Sequence, residues 1–175
     1  MIQTTAIIVV VLIAIVLILA ANKPDIFHVQ RATSIKAPPE KIYALINDFK
    51  RWGAWSPWEN KDPAMKRNYG ATTEGKGAFY SWEGNKDVGL GSMEITETTA
   101  SSKILLKLDF LKPFEAHNTI EFSFAPQGEV TEVNWSMQGP TPFMGKIMHV
   151  FMNMDKMVGK DFETGLANLK AAAEK

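Results

Sequence analysis

The sequence predicts an α+β fold in which a curved antiparallel sheet covers a long C-terminal helix, with a cavity between them. From Phe143 to about Ala173, apolar residues recur at steps of three and four, which places them on one side of an α-helix. Between Met65 and Met137, short segments alternate apolar and polar residues and are separated by turns, as in an antiparallel meander. The sheet and the helix each need an apolar partner, so we expect them to cover each other.

The N-terminal segment predicts a helix that spans a membrane. Residues 1–22 contain no charged side chain, and every residue from Ala6 to Ala21 is apolar. With residues 1–5 included, this helix reaches the roughly 20 residues that a bilayer requires. We therefore expect a transmembrane helix over 1–22 and a second domain over 23–175. A cleaved signal peptide is the alternative, although it would want a basic region before the apolar run, and none is present.

Charge and composition indicate how the protein lies in the membrane and which classes of partner and chemistry are excluded. Lys23, Arg31 and Lys36 follow the apolar run and no Lys or Arg precedes it, which favours a single-pass protein with its domain on the cytoplasmic side. Lys and Arg total 19, as do Asp and Glu, so no excess of positive charge points to nucleic acid. The sequence has no cysteine, which excludes disulfides and thiolate chemistry.

The second domain is predicted to begin with a strand and two short helices. The strand covers Ile26 to Lys36 and ends at the prolines that follow, and a helix continues over Glu40 to Asn47 because Pro is tolerated in a first turn. A second helical turn is expected over Asp48 to Trp52. Three tryptophans then cluster, at Trp52, Trp55 and Trp58. They predict either a loop pinned to the core or the mouth of a cavity, where an indole offers apolar area and one N–H donor.

Six further strands are expected before the final helix. Their apolar residues fall on alternate positions, and Gly, Pro, Asn or Ser separate one from the next. The predicted strands are Met65–Tyr69, Ala78–Glu83, Gly91–Thr98, Lys103–Phe110, Ala116–Phe124 and Val130–Met137. Gly139 to Pro142 ends the last strand, and the long helix follows.

The second domain resembles the SRPBCC superfamily of START-like, helix-grip proteins, and within it the polyketide cyclase/dehydrase-like branch. The resemblance rests on segments in the same order along the chain: Ile35–Lys41, the cluster Trp52, Trp55, Ser56, Pro57 and Trp58, Gly77 with Tyr80, Trp82 and Glu83, Gly91–Ile95, and Met154–Leu169. It implies seven antiparallel strands wrapped on the C-terminal helix around an apolar cavity. The candidate lining residues are Trp55, Phe79, Trp82, Met93, Leu106, Leu108, Phe122, Phe124, Trp135, Phe151, Met154 and Met157. The candidate rim residues are Trp52, Trp58, Arg31 and Glu83.

The sequence offers no pattern for catalysis, a cofactor or a metal. The three histidines are far apart in the chain, and no serine lies in a nucleophile-elbow glycine frame. The first functional hypothesis is therefore membrane-anchored binding of a hydrophobic small molecule or lipid. The alternatives are a regulatory or interaction domain with a filled interior and a polyketide cyclase-type enzyme. A cyclase would need a buried ionisable group with a perturbed pKa beside the cavity.

Overall fold

The computed structural model describes residues 2–175; Met1, the first residue of the predicted membrane helix, lies outside the described residues. The helices are α1 (Ile2–Ala21), α2 (Pro39–Ile46), α3 (Pro57–Lys61), α4 (Phe143–Phe151) and α5 (Met154–Ala173), with a 3₁₀ helix at Phe49–Ala54. The strands are β1 (Ile26–Ile35), β2 (Lys66–Tyr69), β3 (Phe79–Glu83), β4 (Leu90–Thr99), β5 (Lys103–Lys112), β6 (Ala116–Gln127) and β7 (Val130–Pro140). The predicted α+β fold is confirmed.

All seven strands form one antiparallel sheet in the order β1-β7-β6-β5-β4-β3-β2. Strands β2 to β7 follow one another as a meander, and β1 pairs with β7 along its length. The register brings Leu106, Ile120 and Met137 side by side across three strands, on the face that α5 covers. Since side chains alternate along each strand, this register gives the sheet one continuous apolar face.

The predicted single helix from Phe143 to Ala173 is wrong in one respect, because it is broken in two. Met152 has an extended backbone, and the side chain of Asn153 accepts a hydrogen bond from the backbone N–H of Lys156 at 3.0 Å. This N-cap satisfies a donor that a new helix would otherwise leave free, so α5 begins after it. Only α5 carries the buried stripe against the sheet, at Phe162, Leu166, Leu169 and Ala173.

Aromatic rings join the sheet to the helices. The ring of Trp135 on β7 stacks on Phe162 of α5, with centroids 4.0 Å apart and planes at 10°. A Cβ at Gly165 would come within 2.7 Å of Trp135, so the glycine permits this close approach. The indole N–H groups of Trp52 and Trp55 donate to the carbonyls of Ile46 and Leu45, at 2.8 and 3.0 Å. Both tryptophans are buried, which matches the predicted loop pinned to the core.

Helix α1 stands apart from the core. Most of its described side chains are exposed, but Ala20 is buried where the last turns of α1 meet α4. Among the described residues, α1 is the one helix long and apolar enough to cross a membrane, over Gln3–Ala21. A signal sequence would meet the same criterion of length and composition.

Candidate functional site

A cavity of about 570 Å³ lies between the inner face of the sheet and the end of the helical layer where α4 meets α5. Its wall is mostly apolar and rich in methionine and aromatic rings. The sheet contributes Trp82, Met93, Leu108, Phe110, Ile120, Trp135 and Met137. The helices contribute Trp58, Met144, Met148, Met154, Val158 and Phe162, and the break between α4 and α5 contributes Met152. Methionine is flexible and polarisable, so such a wall can adapt to an irregular apolar molecule.

The sequence-predicted lining residues divide into three groups in the structure. Trp82, Met93, Leu108, Trp135 and Met154 line the cavity. Trp55, Leu106, Phe122 and Phe124 are buried in the core instead of forming the cavity wall. Phe79, Phe151 and Met157 are exposed and lie outside the lining.

The exposed positions have two local causes. Tyr80 and Trp82 occupy the inward positions of β3, so the alternation turns Phe79 outward. Phe151 lies in α4, none of whose residues is buried, and Met157 lies outside the buried stripe of α5.

Of the four predicted rim residues, two line the cavity and two do not. Trp52 and Trp58 line the cavity. Arg31 lies on the inner side of β1, where its guanidinium donates to Asp155 and Glu163 of α5 at 2.9 and 2.7 Å, and it does not line the cavity. Glu83 is exposed and pairs with Lys66. The alternation on β3 explains the position of Glu83, since Trp82 takes the buried position beside it. Arg31 shares the face of Val29, but its ion pairs hold it against α5 and away from the cavity.

Three buried polar residues of the wall, Ser56, Asn118 and Thr141, were absent from the sequence-predicted lining. Asn118 on β6 is 6% exposed and Thr141, just after β7, is 5% exposed, and both line the cavity. Their Oδ1 and Oγ1 atoms have no hydrogen-bond partner among the described residues, and the same is true of Nε1 of Trp135. A buried polar atom without a partner is destabilising by about 1–3 kcal/mol, so such atoms usually meet water or a ligand. The sequence pattern could have identified Asn118, because it lies two residues before Ile120 and four before Phe122 and so shares their inward face of β6.

Three ionisable groups of the wall, Tyr80, Glu59 and Asp161, have hydrogen-bonding or charged partners. The hydroxyl of Tyr80 donates to Glu59 at 2.9 Å, and Arg67 donates to the other oxygen of that carboxylate at 2.7 Å. Burial, reinforced by the charge of Glu59, raises the pKa of Tyr80 well above its usual value. Asp161 accepts from Lys61 at 2.7 Å. Tyr80 therefore stays neutral at physiological pH, and each of the two carboxylates already has a cation bound to it.

His149 of α4 lies at the edge of the cavity. Its ring makes an edge contact with Phe27, with centroids 6.3 Å apart. Burial, followed by the nearby positive charge of Lys23, lowers the pKa of His149 below its usual value. Within residues 2–175, no group of three or more His, Cys, Asp or Glu side chains could hold a metal ion.

A second depression, of about 610 Å³, lies beside β2 and the turn that follows it. Its wall is built mainly from polar side chains and backbone of residues 67–74. The cavity under the helices therefore has the features of a small-molecule site, namely an apolar wall with a few polar groups.

A seven-stranded antiparallel sheet wrapped on a C-terminal helix, with an apolar cavity between them, defines the helix-grip class of START-like proteins. Residues 27–174 match the family described as polyketide cyclase/dehydrase and lipid transport, and the chain belongs to this family. This description points to a hydrophobic ligand or to cyclase activity. A comparison with curated proteins gives no match.

Solved structures show the same fold at low sequence identity. The Aha1 dimer from Colwellia psychrerythraea is 16% identical with a TM-score of 0.61, and the match covers 85% of this chain and 96% of that one. Major latex-like protein 151 from Panax ginseng is 12% identical with a TM-score of 0.60, covering 87% and 100%. The di-domain ARO/CYC protein StfQ from the steffimycin biosynthetic pathway is 12% identical with a TM-score of 0.62, covering 85% and 51%.

Proposed function

We propose that this protein binds a hydrophobic small molecule or lipid in the cavity beneath α4 and α5. The observation that carries the proposal is an apolar space of about 570 Å³, within the range of about 300–1,000 Å³ typical of small-molecule sites. Trp82, Met93, Leu108, Trp135 and Met154 are proposed to contact the apolar body of the ligand, with Trp52 and Trp58 nearby. A regulatory domain with a filled interior fits this open space less well.

The ligand is proposed to carry at least one hydrogen-bonding group. Asn118 and Thr141 line the mostly apolar wall, and their unpaired, buried oxygens would turn toward the ligand to supply an acceptor and a hydroxyl. A ligand hydroxyl, carboxyl or amide would satisfy these atoms, whereas a pure hydrocarbon would leave them unpaired. An amphipathic molecule such as a fatty acid or a sterol has the required chemistry.

We further propose that α1 holds the protein in a membrane, with residues 1–22 as the anchor and 23–175 as the binding domain. The length and apolar surface of Gln3–Ala21 support this arrangement. The proposed side of the domain is cytoplasmic, because Lys23, Arg31 and Lys36 lie after the anchor.

The test uses the 175-residue protein, delipidated in detergent and titrated with a fluorescent fatty acid. Leu108→Trp places an indole in the cavity and should weaken binding by about tenfold or more, about 1.4 kcal/mol. Leu111→Trp is the matched control, because Leu111 lies on the same strand, is exposed and does not line the cavity. Its affinity should stay within twofold of the original protein. Equal effects of the two substitutions, or no saturable binding at all, would refute the proposal.

A polyketide cyclase-type enzyme is the second candidate, because Tyr80 and Glu59 both line the cavity beside its apolar wall. Dehydrative cyclisation would lower the mass of a bound polyketide by one water. Incubation with an aromatic polyketide intermediate, followed by mass spectrometry, distinguishes this reaction from binding alone. Ring closure without dehydration would leave the mass unchanged but would alter the chromatographic retention and the absorption spectrum. An unchanged mass together with unchanged retention and absorption removes the enzymatic candidate and leaves the binding function intact.

A further inference from the structure

Exposed apolar side chains surround the opening of the cavity. Phe151 and Met144 of α4 are 71% and 69% exposed, and Phe114 in the turn between β5 and β6 is 64% exposed. Met144 and Phe114 also line the cavity, as do the partly exposed Met148 and Met152. We call α4 together with Phe114 the apolar rim. A rim of this kind on a soluble surface marks a site of contact with another apolar phase.

The apolar rim is continuous with the apolar surface of α1. Helix α4 packs on the last turns of α1, where Ala20 is buried and Val16 is half-buried. Two contacts hold this junction in place: Lys146 of α4 pairs with Asp25, and His149 packs on Phe27. Only residues 22–25 separate α1 from β1, so the domain has little freedom to move away from the end of α1.

The position at which α4 packs on α1 sets the depth of α4 below the membrane surface. Val16 lies five residues before the end of α1 at Ala21, a distance of about 7.5 Å along a helix that rises about 1.5 Å per residue. If α1 crosses a bilayer and ends at its surface, α4 meets it at this depth. Amphipathic helices that lie in the membrane plane bury their apolar face by a similar amount, about 5–10 Å.

We propose that the apolar rim inserts into the leaflet where α1 ends, so that the cavity opens toward the acyl chains and takes its ligand laterally from the bilayer. This inference rests on the proposed membrane anchor and on the proposed ligand cavity. The partner is the lipid bilayer that holds α1. Its acyl layer would cover Phe143, Met144, Phe151 and Phe114, which the fold leaves uncovered.

Because the sequence contains no cysteine, single cysteines can report the depth of each position directly. Met144→Cys and Phe151→Cys are each labelled with an environment-sensitive fluorophore and reconstituted into phosphatidylcholine–phosphatidylglycerol vesicles containing spin-labelled lipids. Ile13→Cys reports insertion of α1, and Glu129→Cys, in the exposed turn between β6 and β7, reports water. The expected result is blue-shifted emission and lipid quenching at positions 144, 151 and 13, with neither at 129.

Quenching at position 13 without quenching at 144 and 151 would overturn the inference while leaving the anchor in place. No quenching at position 13 would overturn both the inference and the anchor. Quenching at 129 equal to that at 151 would show general adsorption and would also count against the inference.

Uptake of the ligand provides an independent readout. Phe151→Glu puts a charge on the rim at a residue outside the cavity lining. It should slow transfer of a pyrene-labelled fatty acid from vesicles by about tenfold, while affinity for the same probe in detergent stays within twofold. Ala167→Glu on the exposed face of α5 is the matched control and should change neither quantity. Equal transfer rates for the two variants would overturn lateral entry, whereas loss of binding in detergent by the original protein would instead refute the proposed ligand cavity.

Discussion

Replacing Asn118 by Leu should stabilise the ligand-free protein and weaken ligand binding. Asn118 is 6% exposed, and its Oδ1 has no hydrogen-bond partner among the described residues. Leaving such an acceptor buried is unfavourable by about 1–3 kcal/mol, and Leu has a similar shape without the polar atom. The side chain lies over Gly139, which has no Cβ to obstruct it. We therefore expect the free energy of unfolding to rise by about 1 kcal/mol or more.

The same substitution, Asn118→Leu, should weaken ligand binding although it stabilises the ligand-free protein. If a polar group of the ligand pairs with Asn118, the Leu variant leaves that group unpaired in an apolar site, and affinity should fall by about tenfold, or about 1.4 kcal/mol. Urea unfolding of the delipidated protein in detergent measures the stability, and titration with a fluorescent fatty acid measures the affinity.

Asn134→Leu is the control for this experiment. Asn134 also has a buried Oδ1 without a partner, but it lies outside the cavity lining, on the opposite side of β7 from Trp135. This substitution should leave binding within twofold of the original. A less stable Asn118→Leu variant with unchanged affinity would refute the reasoning, because the amide would then have a structural role.

Two further predictions concern packing and pH. Gly165→Ala should destabilise the protein by about 1 kcal/mol or more, because its Cβ would come within 2.7 Å of the fully buried Trp135, and overpacking outweighs the helix preference of Ala. Gly145→Ala in α4 has contacts no closer than 3.4 Å and should be neutral or stabilising in the same urea unfolding. In an NMR titration, the pKa of His117 should lie above 6.5, chiefly because its ring bonds to Asp109, and that of His149 below 6.5, chiefly because of burial. Because its folded pKa is raised, protonated His117 stabilises the fold most below pH 6.5, and this contribution is lost as the pH rises through the folded pKa. Because the folded pKa of His149 is lowered, its neutral form favours the fold above pH 6.5, and this contribution is lost as the pH falls toward the folded pKa. The opposite order of the two pKa values would contradict the geometry.

The sheet was predictable because side-chain alternation has a period of two and tolerates no slip. Leu106 and Leu108 share a face in the sequence pattern, and both are buried in the structure. The pattern does not tell how far along the strand each residue lies, so only the structure distinguishes Leu106 in the core from Leu108 in the cavity wall. The local sequence determines which face of the sheet a residue occupies. Whether that residue lies in the core or in the cavity wall depends on how the whole sheet curves over α5.

The break between α4 and α5 was not predictable from the apolar stripe. Phe151 and Met154 are three residues apart, and their spacing fits one continuous helix as well as two. Asn153 looks like an outward polar position until its side chain is seen to cap a new helix. The paired carboxylates of Glu59 and Asp161 were missed for a related reason, since their partners come from other elements of the fold.

The short break before α5 assigns the packing of the core to α5 and the lining of the cavity entrance to α4, whereas one continuous helix would have combined the two. All the fully buried residues of the last two helices belong to α5, and none of the nine residues of α4 is fully buried. Substitutions in α4 can therefore alter what reaches the cavity with little effect on the folding of the domain. The segment is a natural place for related chains to diverge in their choice of ligand, and for a protein engineer to exchange one specificity for another.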